Sequence, residues 1–212
     1  MKIHEGEPVL AAGAPLRAAS AVLVLVHGRG GSAEDILSLG RKVIEAIPGV
    51  ALRAPQAAGR TWYPQRFLSP ILQNEPFLTS ALQVVAAVIE QAIGAGIPPE
   101  KVALLGFSQG ACLSLEFAAR HPRRYGAVVG LSGALIGPPG TPRDSTGSLA
   151  GTPVYLGCSD RDFHIPETSV HESAEVLERM GARVQTAIFP GMGHTVNAEE
   201  LAAAQALIRA LT

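Results

Sequence analysis

The stretch VALLGFSQGACLSLEFAAR, residues 102–120, reads as a short strand, a sharp turn and a helix. Val102–Phe107 is an apolar run of the kind expected in a strand buried on both faces. Gln109–Arg120 carries apolar side chains at helical spacing. Between them stands Gly106-Phe107-Ser108-Gln109-Gly110, the pattern G-x-S-x-G at a strand-to-helix junction. A tight turn there lifts a serine hydroxyl clear of the sheet, and side chains at 106 and 110 would collide with the turn or the adjoining strand. The helix N-terminus behind Ser108 also aims N–H groups and positive dipole at developing negative charge. Ser108 is thus a candidate nucleophile.

Outward from this unit the same alternation continues. Ala21–Val26 (AVLVLV) predicts another fully buried strand, and Ser32-Ala33-Glu34-Asp35 supplies a cap and acidic first turn for a helix to about Ile47. Val50–Arg53 reads as a strand. From Phe77, Ala81, Leu82, Val85, Val88, Ile89, Ala92 and Ile93 form a helical face ending at Gly94 or Gly96. Strands Ala127–Leu131, Val154–Leu156 and Val184–Phe189 then alternate with helices near 109–120, 167–180 and 198–210. Val9–Leu10 is an expected edge strand. Pro55–Pro76 reads as irregular and Thr141–Gly151 as a surface loop. The pattern predicts one α/β domain over residues 1–212, a mostly parallel sheet covered by helices on both faces.

Composition narrows the function classes. The chain has 212 residues, a net charge of −1 and a pI near 6.6, without the basic surplus of a nucleic-acid binder. The longest clean apolar run, Ala21–Val26, falls far short of the about 20 residues of a membrane helix. MKIHEGEP carries two glutamates where a signal peptide would be apolar. Two cysteines, Cys112 and Cys158, make neither a disulfide framework nor a zinc site. A cytoplasmic protein is expected, with no nucleic-acid partner and no membrane span; the oligomeric state is not legible.

A serine nucleophile needs a base, and the base an orienter, in the chain order Ser, Asp or Glu, His. Asp144, Asp160 and Asp162 follow Ser108. Asp144 lies in a Pro/Gly-rich loop and is expected to be solvated. The other two follow the strand PVYLG; Asp162 is preferred, with Asp160 read as a turn former. His194, in Pro190-Gly191-Met192-Gly193-His194 after the last strand, is the expected base. His164 and His171 read as surface or satisfied histidines. Together with Glu167 they could share a helix face as metal ligands, but no H-E-x-x-H is present and no metal is expected. The oxyanion donors are assigned to the N–H groups of Gln109 and of Arg29, in the loop His27-Gly28-Arg29-Gly30-Gly31. His27 is expected to brace that loop.

The motifs VLVLVHGRGGS, then AP and the pair Trp62-Tyr63, GFSQGA, GCSDRDFHIP and FPGMGH resemble the carboxylesterase/phospholipase family that includes the acyl-protein thioesterases. They run from residue 22 to 194. The resemblance implies a compact α/β-hydrolase without a lid domain; Ser108, Asp162 and His194 match its triad, and Arg29 and Gln109 its oxyanion donors. Two positions depart: the family often has an apolar residue at Arg29 and an acid at Gly31, which bears on substrate preference. Dienelactone hydrolases are similar too, but place cysteine at the nucleophile; here Cys112, a turn beyond Ser108, reads as a core thiol. The expected acyl-side wall is Trp62, Tyr63, Phe67 and Leu68, with plain packing an equal reading for Trp62, and Phe163 facing the pocket. The resulting expectation is a serine carboxylesterase for small-molecule esters of short-to-medium acyl length, requiring no cofactor. Thioesterase or lysophospholipase activity is the near alternative, and a non-catalytic hydrolase-fold binding protein the distant one.

Overall fold

Six apolar side chains in succession, Ala21–Val26, form a strand (β2) on which both layers of the molecule rest. The computed structural model describes residues 2–143 and 146–212. Its strands are β1 (Val9–Gly13), β2, β3 (Val50–Pro55), β4 (Val102–Phe107), β5 (Ala127–Leu131), β6 (Pro153–Ser159) and β7 (Arg183–Phe189). The helices are α1 (Ala33–Ile44), α2 (Phe77–Gly94), α3 (Gln109–Arg120), α4 (Glu167–Arg179) and α5 (Ala198–Arg209). The strands join one sheet in the order β1-β3-β2-β4-β5-β6-β7, all parallel except β1, which pairs antiparallel to β3. The expected edge strand therefore exists and extends to Gly13. Within the segment read as irregular, short 3-10 turns form at Ala58–Arg60 and Ile71–Asn74.

Alternation along β2 splits the core. Val22, Val24 and Val26 face α2, α3 and α4, while Leu23 and Leu25 face α1 and α5. By length and a mean hydropathy of 1.5, α2 could cross a membrane. Its apolar face, with Leu78, Ala81, Leu82, Val85, Val88 and Ile89, is instead packed into the core beside β2. The expected Ser32 cap forms a reciprocal box with Asp35, and α1 ends at Ile44, before the predicted Ile47.

Two buried carboxylates went unremarked in the sequence. Glu116, on α3, is completely buried; it accepts from Arg120 Nε at 2.7 Å, Arg143 Nη1 at 2.5 Å and the Ile136 N–H at 3.0 Å. That ties the chain after β5 down onto the helix, with the charge fully partnered. Glu200, in the first turn of α5, lies under Gly157 of β6. Its Oε2 accepts the Asn197 N–H at 2.9 Å, and its Oε1 has no partner among the described residues. Asp144, expected to be solvated, lies outside the described residues.

Candidate active site

The turn after β4 has the strained geometry its motif implies. Ser108 has φ 55° and ψ −120°, sparsely populated for a residue with a Cβ. Added methyls at the flanking glycines would strike backbone, at Gly106 the Gly110 carbonyl and at Gly110 the Val26 carbonyl. The strain holds the Ser108 hydroxyl outward at the carboxyl end of the sheet. The other nearby serines point elsewhere: Ser114 Oγ is buried and donates to the Gly110 carbonyl at 2.8 Å, and Ser132 Oγ is buried.

Loops after β6 and β7 meet Ser108 from one side. His194 Nε2 lies 2.8 Å from Ser108 Oγ, and His194 Nδ1 lies 2.6 Å from Asp162 Oδ2. Asp162 Oδ1 accepts the N–H groups of His164 at 2.8 Å and Ile165 at 3.1 Å. Burial alone would raise the Asp162 carboxyl, but its bonds from His194 and these two amides outweigh that and hold it below its ordinary value. It is therefore ionised at neutral pH. Asp160 does not reach His194. Its Oδ1 accepts the Gly191 N–H at 2.7 Å, while Ser159 Oγ accepts that of Gly193 at 3.1 Å. These two side chains pin the histidine loop to the acid loop.

The loop after β2 closes the other side. Gly28 sits so near the serine that an added methyl would meet the Phe107 carbonyl oxygen and Ser108 Cβ, each at 3.3 Å. At the first position of α3, the Gln109 amide has no carbonyl one turn back to receive it. His27 braces the loop: Nδ1–H donates to the Gly28 carbonyl at 2.8 Å and Nε2 accepts the Ala57 N–H at 3.1 Å. That pattern requires the neutral ring, and burial lowers the His27 pKa accordingly.

The side chains of Arg29 and Gln109 have work that the sequence did not suggest. Arg29 donates to the carbonyls of Tyr63 at 2.9 Å, Pro64 at 3.0 Å and Gln65 at 2.6 Å. Gln109 accepts the Trp62 N–H at 2.9 Å and donates to the Tyr63 carbonyl at 2.8 Å. Buried Asn74 adds a third tie, accepting the Gln65 N–H at 2.8 Å. The segment 62–66 is thereby stapled to the Ser108 turn and the Arg29 loop.

This segment walls a groove of about 510 Å³, bordered by Tyr63, Phe67, Ser108, Gln109, Ile165 and His194. Tyr63 and Phe67, expected on the acyl side, both border this groove. Trp62 follows the packing alternative: it is wholly buried behind the wall, its indole N–H donating to the His27 carbonyl at 2.9 Å. Leu68 turns to a separate cavity beside α4, and Phe163 is 93% exposed and borders neither. Phe163 precedes two residues whose amides turn inward to Asp162, which leaves its own side chain outside. His164 is exposed, as a surface histidine would be, and also borders the groove with its ring 4.8 Å from that of His194. Cys112 lies beneath, its thiol pushed up to about 12 by burial. No group of His, Cys, Asp or Glu among the described residues is arranged to hold a metal; His171 contacts Glu167 at 3.3 Å on α4.

A sequence profile of the phospholipase/carboxylesterase family matches residues 9–212. Acyl-protein thioesterase 1 of Gibberella zeae is 34% identical over 127 residues, 58% of this chain and 53% of that protein. The matched stretch spans about half the length of such curated relatives. A phospholipase/carboxylesterase of Dyadobacter fermentans superposes with a TM-score of 0.91 at 38% identity, covering 98% of each chain. The carboxylesterase of Bacillus cereus shares the fold, with a TM-score of 0.76 at 17% identity over 98% of this chain and 96% of that one.

Proposed function

The chain belongs to the phospholipase/carboxylesterase family, and from that premise we propose that it is a serine carboxylesterase acting on short-to-medium acyl esters. The observation that carries the reading is the unbroken chain Ser108 Oγ–His194 Nε2–Asp162 Oδ2, at 2.8 and 2.6 Å, on the border of an open groove. His194 takes the Ser108 proton as Oγ attacks the ester carbonyl, and ionised Asp162 holds Nδ1–H and stabilises the imidazolium. The N–H groups of Gln109 and Arg29 receive the oxyanion. His194 then returns the proton to the leaving alcohol, and water, activated by the same imidazole, releases the acid. The groove, walled by Tyr63 and Phe67, seats the acyl chain. A thioester would pass through the same steps, and the thioesterase named among the relatives keeps that substrate class in view. A reducing, cytoplasmic setting suits the two buried free thiols.

The test is Ser108→Ala. With the covalent step removed, kcat on a soluble butyrate ester should fall about 10⁴-fold or more while circular dichroism and Tm are unchanged. A fluorophosphonate probe should label the native serine in the parent protein only. Retention of more than about a tenth of the activity refutes the reading, as does folded parent protein that neither takes the probe nor hydrolyses any ester or thioester. Such inertness would favour a binding protein.

A further inference from the structure

A second groove, of about 600 Å³, opens on the far side of His194, between α1 and α5. It shares Gly28, Arg29, Phe107 and His194 with the first groove, but Ser108 and Gln109 border only the first. Its walls are apolar: Ile36 and Leu39 from α1, Val196 from the histidine loop, and Leu201 from α5. Leu39, Val196 and Leu201 are half-buried, so much of their surface faces the opening. Three charged side chains stand there, of which Arg29 is held to the carbonyls of Tyr63, Pro64 and Gln65. Asp35 is engaged in the α1 cap with Ser32 and lies 3.6 Å from Arg60, and Lys42 is exposed.

We infer that this groove is the subsite for the alcohol portion of the ester, and that it selects apolar alcohols. The inference rests on the serine-esterase reading and extends it to the leaving group. In acylation, Ser108 Oγ bonds to the carbonyl carbon and the bond from that carbon to the alcohol oxygen breaks. The proton first taken by His194 passes to that oxygen, releasing neutral alcohol. The acyl chain stays bonded to Ser108 and so belongs in the groove that Ser108 borders. The alcohol oxygen must lie against His194 Nε2, so its substituent leaves past the imidazole, into the groove that His194 borders and Ser108 does not. An alkyl or aryl substituent removes water from Leu39, Val196 and Leu201, whereas a methyl group leaves them wet.

The experiment holds the acyl group fixed and changes the alcohol. Methyl and hexyl butyrate, below their solubility limits, have leaving groups of similar acidity and pass through one butyryl-enzyme. The hexyl ester should show the larger kcat/KM by about tenfold or more, since this constant reports acylation, when the alcohol is still bound. Leu39→Gln and, separately, Leu201→Gln should each cut that preference about fivefold. Methyl butyrate turnover, and the acyl-length preference across ethyl acetate to ethyl hexanoate, should stay within about twofold. Added hexanol should also intercept the butyryl-enzyme better than methanol, and the variants should lose this advantage, by microscopic reversibility. Equal kcat/KM for the two butyrates overturns the subsite while leaving the esterase reading intact. A change in acyl-length preference instead of alcohol preference also overturns it, by assigning the groove to the acyl chain. Absence of turnover on every ester, with no Ser108 labelling, removes the esterase reading and the subsite with it.

Discussion

Replacing Glu200 with glutamine tests how the base of the site is built, through stability rather than turnover. The Glu200 carboxyl is fully buried beneath β6, one oxygen on the Asn197 N–H and the other without a partner among the described residues. Burial pushes its pKa from 4.5 up to about 7, the Asn197 bond opposing it weakly. Because the folded value is raised, the native protein keeps a proton that the unfolded chain has already released. Stability is therefore fully present below about 4.5, falls as pH rises through the interval to about 7, and is level beyond. At 1.36 kcal/mol per pKa unit the whole loss is about 3 kcal/mol, most of which falls between pH 5 and 8.5. Glu200→Gln keeps an acceptor for Asn197 and does not titrate. Its stability relative to the parent should rise by about 2–3 kcal/mol from pH 5 to pH 8.5, read from urea unfolding by circular dichroism. Any constant cost of burying the amide cancels in that difference. An offset that does not move between the two pH values would mean that Glu200 ionises as freely in the fold as in the open chain, and would refute the reasoning.

Further outcomes follow from the loop geometry. Asp162→Asn should lower kcat by about 10³-fold or more, because an amide no longer holds the required histidine tautomer. Asp160→Asn, which weakens the ties to Gly191 and to Ser159 Oγ, should act on Tm and leave kcat within about tenfold; the reverse ranking in purified variants would move the orienting role to Asp160. Cys112, buried and with its thiol pushed up to about 12, should resist iodoacetamide in the native state and react after unfolding. Stoichiometric alkylation with loss of activity, prevented by substrate, would contradict this. With segment 62–66 stapled by Arg29, Gln109 and Asn74, the rate on a medium-chain ester should level off smoothly across its solubility limit. A sharp jump as droplets appear would show a mobile cover.

The sheet was legible because each strand carries a short apolar run, six residues long in Ala21–Val26. The positions of Ser108, Asp162 and His194 were legible because each lies just past such a run, where the sheet itself brings loop ends together. The rest depended on side-chain direction. Trp62 and Tyr63 are adjacent aromatics in one irregular segment, both buried, and nothing in their spacing tells which borders the groove; the hydrogen bonds of Gln109 to both backbones fix it. His164 is exposed, as read, yet it borders the groove while Phe163 does not, since the turn on Asp162 Oδ1 decides which side chain meets His194. Arg29 was read for its backbone alone, because its carbonyl partners lie more than thirty residues away. Glu116 was the one missed feature with a visible signal, an acid amid the apolar residues of LSLEFAAR.

The separation of Ser108 from His194, 86 positions along the chain, makes the protein its own two-channel folding gauge. Its only tryptophan, Trp62, is sealed against His27 behind the nucleophile turn, so its emission follows the closing of the first half. On the esterase reading, hydrolysis would wait for β7 to dock and deliver the His194 loop. During refolding, or as the chain leaves the ribosome, the two signals date separate events in one unlabelled molecule, and a half-made copy stays chemically silent.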